Sequence, residues 1–308
     1  MLYGMAGGMP KAMRMTKSRC CKAMYIAQQL QHCLEATYDY LQYDDTEKVL
    51  QLQHRMTLVN MWSPGIGDYI IEIGCGQGET TVALATAVGA SGRVLAVDNG
   101  PAEYGRPVTL GEGHAYIKSS ILGGHIEFLL STDLLDPHRD FPENAFDLAV
   151  FSHSSWYMSS PQELQRLFTR VRPWARRLCY AEWDARPQYL QQLTHLLAVL
   201  LQIHAHSVAP QTSTANVRSL ILPEHARLLA ENAGWTITEE KIIDTSTPLG
   251  YGKAWEIHKA LEMAEALTAS DDVAEDVRRL LAAEKWLLRW MAHETRNMSL
   301  STYAFLAE

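Results

Sequence analysis

The sequence predicts an α/β fold: a mostly parallel sheet covered by helices on both faces, with a helical extension at the N-terminus and helical insertions late in the chain. Three observations predict it. Between residues 66 and 183 short apolar runs alternate with segments of helical period. The first run, Tyr69-Ile70-Ile71-Glu72-Ile73, ends in a turn with three glycines, Gly74-Cys75-Gly76-Gln77-Gly78, that opens into a helix. After residue 183 the rhythm stretches, and long helical segments separate the remaining short strands.

Taken in order, apolar residues from Ala23 to Leu41 recur at i, i+3 and i+4 and predict an amphipathic helix, followed by a second from Glu47 to about Met61. Ser63, Pro64 and Gly65 break that pattern before the first strand. A helix from Glu79 to Val88, a strand from Arg93 to Val97, a helix around 114 to 121 and a strand from Ile126 to Leu130 follow. Next come a strand from Phe146 to Phe151, a helix from Pro161 to about Val171 and a strand from Leu178 to Glu182. Ser160-Pro161-Gln162-Glu163 starts its helix well, with Ser at the N-cap and Pro in the first turn. Beyond it the periodicity predicts a helix from about Pro187 to His206, a helix from Pro223 to Gly234 and a strand from Trp235 to Ile243. Helices over 253–267 and 271–294 and a strand from Ser301 to Leu306 complete the chain. The predicted divisions are a basic leader (1–22), an N-terminal helical extension (23–65), the α/β core (66–183), a first insertion (184–222), a core continuation (223–243), a second insertion (244–299) and a final strand (300–308).

Composition narrows the function. The 308 residues, 47% hydrophobic and 20% charged, suffice for one large domain with insertions or for two small ones. Thirty-five acids against 27 bases give a net charge of −8, so no basic footprint for nucleic acid exists. No apolar run approaches the length of a membrane span. The five cysteines, an odd number, have no paired spacing, which suits a reducing interior. The first 34 residues hold five bases and no acid but lack the apolar core of a secretion signal. The alternatives are a mitochondrial presequence, for which the segment is poor in Ser and Leu, and the expected one, a flexible leader on a cytoplasmic protein. No metal is expected, because His195, His204 and His206 share no ligand face.

The glycine turn carries the chemistry. A dinucleotide would want glycines at i, i+2 and i+5, yet Glu79 occupies the fifth position after Gly74 and Thr81 the fifth after Gly76. An acid at the helix start repels a pyrophosphate, whereas Glu72 and Glu79 suit a ligand bearing an ammonium and a sulfonium. Asp98, ending the second strand, can accept from both hydroxyls of a ribose. Asp133, after the third strand, can accept from an adenine amino group. The competing structural roles are helix-to-strand packing for the glycines, caps or turns for the two aspartates and a small filler for Cys75.

With these elements in order, the chain resembles the class I S-adenosylmethionine-dependent methyltransferases over about residues 66–183, 219–243 and the final strand. The resemblance implies a Rossmann-like, seven-stranded, mostly parallel sheet and S-adenosylmethionine as the cofactor. It implies a cofactor site at Glu72, Gly74, Cys75, Gly76, Gly78, Asp98, Asn99, Thr132, Asp133, Leu134 and Ser152. It further implies small-molecule methylation of the kind found in secondary metabolism, at oxygen or nitrogen of a partly aromatic acceptor, with S-adenosylhomocysteine as by-product. A homodimer is compatible with it. The alternatives are a cyclase of the same fold that binds the cofactor without transferring methyl, and a scaffold protein with a vestigial pocket.

The acceptor site should lie beyond the fourth and fifth strands, where Ser152-His153-Ser154-Ser155-Trp156-Tyr157 and Glu182-Trp183 stand. His153 is the candidate general base, with framing of the cofactor as its structural alternative. Candidate substrate contacts are Trp156, Tyr157, Glu182, Trp183, His195, Asn216, Arg218 and Trp255. Glu182 has the further options of orienting a histidine or capping. On the next helix the face of Gln188, Gln191, His195, Gln202 and His206 is turned to solvent by default, with pocket lining as its alternative. Trp255, Trp286 and Trp290 belong to a segment that could fold over the pocket or simply pack.

Overall fold

The computed structural model describes residues 31, 33, 35, 36, 45–106, 108–244, 250–294 and 297–308. The basic leader lies outside them, and of the helix expected from Ala23 to Leu41 only Gln31, Cys33, Glu35 and Ala36 are described, all helical. Chain order then runs α1 (Asp45–Trp62), β1 (Tyr69–Ile73), α2 (Glu79–Val88), β2 (Arg93–Val97), α3 (Leu110–Ser119), β3 (Ile126–Leu129) and β4 (Phe146–Ser152). It continues with α4 (Pro161–Val171), β5 (Ala175–Trp183), α5 (Leu193–Val208), α6 (Pro223–Asn232), β6 (Ile237–Ile243), α7 (Gly250–Thr268), α8 (Glu275–Glu294) and β7 (Thr302–Ala307).

The seven strands form one sheet in the order β3-β2-β1-β4-β5-β7-β6. β1 to β5 pair in parallel, and β7 enters antiparallel between β5 and β6. Because β1 is flanked by β2 on one side and β4 on the other, the strand order reverses at β1. A crevice opens there outside the C-terminal strand ends, the place where open α/β sheets bind ligands.

Burial of β1, β2 and β4 on both faces explains their near-continuous apolar runs, Ile70-Ile71, Val94–Val97 and Leu148–Phe151. One face packs Phe146, Phe151, Leu164, Phe168 and Trp235 between the sheet, α4 and α6. The other packs Leu52, Leu58, Trp62, Val82 and Leu84 between the sheet, α1 and α2. A third cluster, with Ala198, Leu201, Ala260, Ala264, Leu281 and Leu288, joins α5, α7 and α8 into a helical layer.

Several elements differ from expectation for local reasons. α3 begins at Leu110 rather than near 114, because Thr109 and Glu112 form a reciprocal capping box. α5 begins at Leu193, since residues 187–192 form a turn in which the Gln192 side chain accepts from the Gln188 and Tyr189 amides. The helix face assigned to solvent by default is divided. Gln188 and Gln191 are exposed, whereas His195 and Gln202 are fully buried and Leu193 and Leu200 face outward. Trp286 and Trp290 also point outward, 68% and 59% exposed, so neither folds over the sheet edge.

Candidate functional site

The glycine turn holds its shape through backbone and close packing. Gly74, Gly76 and Gly78 have φ of 75°, 53° and 100°, in the left-handed region where residues with a Cβ are strained. The Gly74 and Cys75 amides donate to the Val97 carbonyl at 2.8 and 3.1 Å. Their surroundings separate the three glycines. A Cβ on Gly74 would stand 2.5 Å from Ser154 Cβ and one on Gly78 2.6 Å from Ile117 Cδ1, whereas one on Gly76 would meet nothing within 4 Å. Packing therefore requires Gly74 and Gly78. Gly76 instead leaves bare backbone facing open space.

Asp98 frames that space. Its Oδ2 accepts from the Gly76 amide at 2.9 Å and its Oδ1 from the Gly100 amide at 2.8 Å, leaving further lone pairs on a half-exposed carboxylate. Asn99 and Asp133 are exposed, and Asp133 Oδ1 accepts from the Leu135 amide at 2.8 Å. Thr132 and Leu134 are buried beside them. Ser152 is buried at the end of β4 and takes a hydrogen bond from the Thr80 hydroxyl at 3.2 Å. Cys75 is buried, and burial holds it well above the usual thiol range, so it is an inert filler of the turn.

Glu72 departs from expectation. It is 1% exposed, accepts from Thr81 Oγ1 at 2.5 Å and is pushed by burial to about 8, with the Thr81 bond opposing. At neutral pH it is a protonated brace between β1 and α2, so an electrostatic preference for a cationic ligand does not rest on it.

Behind the β4 end lies a layer of histidines. The His153 backbone is left-handed, φ 52°, and its amide donates to the Ala181 carbonyl at 2.8 Å, which turns the ring inward. His153 Nε2 lies 3.0 Å from Nε2 of His54 on α1, and its Nδ1 points at Glu182 Oε1, 3.4 Å away. Trp183 packs on both rings, 4.6 Å from His153 and parallel to His54 at 6.0 Å, and meets His195 edge-on. Burial, then the charges of Arg55 and His195, hold His153 well below the usual imidazole value, and burial does the same to His54. The expectation of a near-neutral pKa for His153 is therefore corrected: burial of the ring and the nearby positive charge keep it uncharged.

Glu182 positions this layer. Its Oε2 accepts from the Ser155 amide and hydroxyl and the Trp156 amide, and its Oε1 from the Trp183 amide, all within 3.2 Å. With 3% exposure it is an anchor for the turn after β4 and for His153 rather than a substrate contact. Trp156 is likewise core, 2% exposed with its indole donating to the Ile221 carbonyl. His195 is fully buried, and its Nδ1 accepts from the Leu300 amide at 3.0 Å. Asn216 is buried, its amide and that of Val217 donating to Gln202 Oε1. Of the proposed substrate contacts only Tyr157, Trp183, Arg218 and Trp255 keep accessible surface. Among the described residues no three histidine, cysteine or acidic side chains converge in a metal-binding geometry.

Three residues at the crevice were not singled out from sequence. His54 faces His153. His114 on α3 donates from Nε2 to the Gly76 carbonyl at 2.7 Å while stacking on Phe128. Arg55, on α1 beside His54, acts electrostatically on Glu72, Glu79 and His153. Its Nε and Nη1 are shut away from solvent with no hydrogen-bond partner. A bare glycine backbone, a ribose-ready carboxylate and unmatched buried donors together fit an amino-acid nucleoside such as S-adenosylmethionine.

No family model matches the chain. It is 30% identical over 242 residues to methyltransferase phomM of Diaporthe leptostromiformis, covering 68% of this chain and 61% of that protein. It is 33% identical over 159 residues to methyltransferase phomM' of the same organism, covering 45% and 41%. The chain thus spans less than two thirds of the length of these curated relatives. The crystal structure of a cyclopropane-fatty-acyl-phospholipid synthase-like protein from Lactobacillus casei ATCC 334 superposes with a TM-score of 0.77 at 30% identity, covering 91% of this chain and 98% of that one. Identity at that level over nearly a whole solved chain, on a seven-stranded sheet whose strand order reverses at the glycine turn, shows that this chain belongs to the class I S-adenosylmethionine-dependent methyltransferases.

Proposed function

We propose that the protein transfers a methyl group from S-adenosylmethionine to an oxygen or nitrogen of a small, partly aromatic metabolite, in the cytoplasm and within secondary metabolism. The observation that carries this reading is Gly76: left-handed, open on its Cβ side and hydrogen-bonded to Asp98. Two relatives named as methyltransferases support the reaction class. When bound, the cofactor supplies an electrophilic methyl carbon on a sulfonium.

The chain's own residues do the rest. Asp98 offers lone pairs to paired hydroxyls while tying its turn to the glycine loop. Gly76 admits the ligand to main-chain distance. Trp183 and the buried histidine layer keep water from the acceptor side, which favours alignment over hydrolysis. His153, kept uncharged by burial, takes a proton released at the acceptor only in passing, with Glu182 3.4 Å from its Nδ1 and His54 3.0 Å from its Nε2. Among the described residues no helix is long and apolar enough to cross a membrane.

The test is incubation with methyl-labelled S-adenosylmethionine and candidate acceptors. Label in product together with S-adenosylhomocysteine supports transfer. Product without either indicates the cyclase alternative. Failure to bind S-adenosylmethionine at all removes the cofactor assignment.

A further inference from the structure

We propose that Arg55 is the anion-binding half of a subsite that reads the zwitterionic amino-acid end of the cofactor, taking its carboxylate. This deepens the cofactor reading above and rests on it.

The placement of Arg55 follows from contacts on α1. His54 and His153 meet at 3.0 Å, and Ser154, the next residue along, donates from Oγ to the Ile73 carbonyl at 2.9 Å and packs against Gly74. The turn of α1 that carries Arg55 is thus pinned beside the glycine loop, where β1 ends. α1 packs Leu52, His54, Met56, Leu58, Val59 and Trp62 into the core, and Arg55 itself is half-buried, with Nε and Nη1 turned away from solvent.

The second observation is the unmet demand of its guanidinium. Nε and Nη1 are solvent-inaccessible without any hydrogen-bond partner, and no ion pair involves Arg55 among the described residues. Buried donors left unmatched are rare, and a buried cation without an anion is costlier still. The neighbouring acids do not answer it. Glu72 is committed to Thr81, and Glu79 lies within electrostatic reach but not within ion-pair distance.

A free α-amino acid group carries one carboxylate and one ammonium. This corner offers one guanidinium with unfilled donors and one acid, Glu79, whose carboxyl burial pushes up while the Arg55 charge favours its carboxylate. Planar, forked donors match a carboxylate in a way an ammonium does not.

The experiment measures binding by calorimetry of three probes, S-adenosylmethionine, decarboxylated S-adenosylmethionine and 5′-methylthioadenosine, to wild type, Arg55→Met and Arg55→Lys. Wild type is expected to prefer S-adenosylmethionine over the decarboxylated form by about 10- to 100-fold, the worth of a charge-assisted bond. In Arg55→Met that preference should fall to within about threefold of unity while 5′-methylthioadenosine affinity holds. Arg55→Lys, which keeps the charge without the fork, should fall between and stands in if the Met variant does not fold. A variant that binds 5′-methylthioadenosine normally and retains the full carboxylate preference overturns the assignment of Arg55 while leaving the cofactor reading intact. Wild type that binds none of the three overturns both.

Discussion

Replacing each glycine of the turn by alanine separates the ligand-facing position from the packing positions. All three have positive φ, so each alanine carries about 1–2 kcal/mol of left-handed strain. At Gly76 nothing else is added, because no atom lies within 4 Å of the new Cβ. At Gly74 the Cβ overlaps Ser154 Cβ at 2.5 Å, and at Gly78 it overlaps Ile117 Cδ1 at 2.6 Å, each adding about 1–3 kcal/mol of overpacking. Gly74 is the worse of the two, since Ser154 is held by its bond to the Ile73 carbonyl whereas the Ile117 methyl can rotate. At roughly 2–4 °C per kcal/mol, Gly76→Ala should melt only a few degrees below wild type, and Gly74→Ala well below Gly76→Ala. Binding should show the reverse severity per degree lost: Gly76→Ala is expected to weaken S-adenosylhomocysteine by more than about tenfold, a 1.4 kcal/mol loss. Scanning calorimetry and titration calorimetry on the same samples read both quantities. Wild-type affinity in Gly76→Ala would refute the idea that ligand backbone passes over this residue.

Further outcomes follow from the same geometry. Asp98→Ala strands the Gly76 and Gly100 amides as well as removing the ribose acceptor, so S-adenosylmethionine binding should disappear from titration calorimetry, and unchanged affinity refutes the cofactor assignment. His153→Asn, which tolerates left-handed backbone, should lower turnover by about 10²-fold or more with cofactor affinity intact; equal turnover removes the residue from the mechanism. Glu72 is raised from 4.5 to about 8, so its contribution is present in full below about 4.5 and is lost as pH rises toward 8. Glu72→Gln should therefore gain on wild type by about 1.4 kcal/mol per pH unit across that window and level off above it, read as the difference in melting temperature. Parallel profiles of the two proteins would show that Glu72 does not titrate there.

What could be read in the sequence was local. The five parallel strands, the glycine turn and Asp98 announce themselves because period, positive φ and strand-end acids are decided within a few residues of chain. Capping boxes are equally local, and Thr109 with Glu112 could have placed the start of α3 correctly. The direction in which a helix face points is not local. His195 and Gln202 turn inward because α5 lies between α7, α8 and the segment before β7, where the Leu300 amide meets His195 Nδ1 and the Glu256 carbonyl and Asn216 amide meet the Gln202 side chain. Trp156 and Glu182 looked like pocket residues at the right strand ends, yet their partners Ile221 and Ser155 enclose them.

Sequence alone determined the class of fold and the place of the cofactor crevice, since both follow from patterns that backbone sterics impose on neighbouring residues. Only the tertiary structure decided which distant groups meet: His54 against His153, 99 positions apart, and β7 inserted antiparallel between β5 and β6. Such juxtapositions come from burying distant apolar surfaces in one core, and a hydrophobic effect without direction leaves no local mark of which polar groups it will bring together.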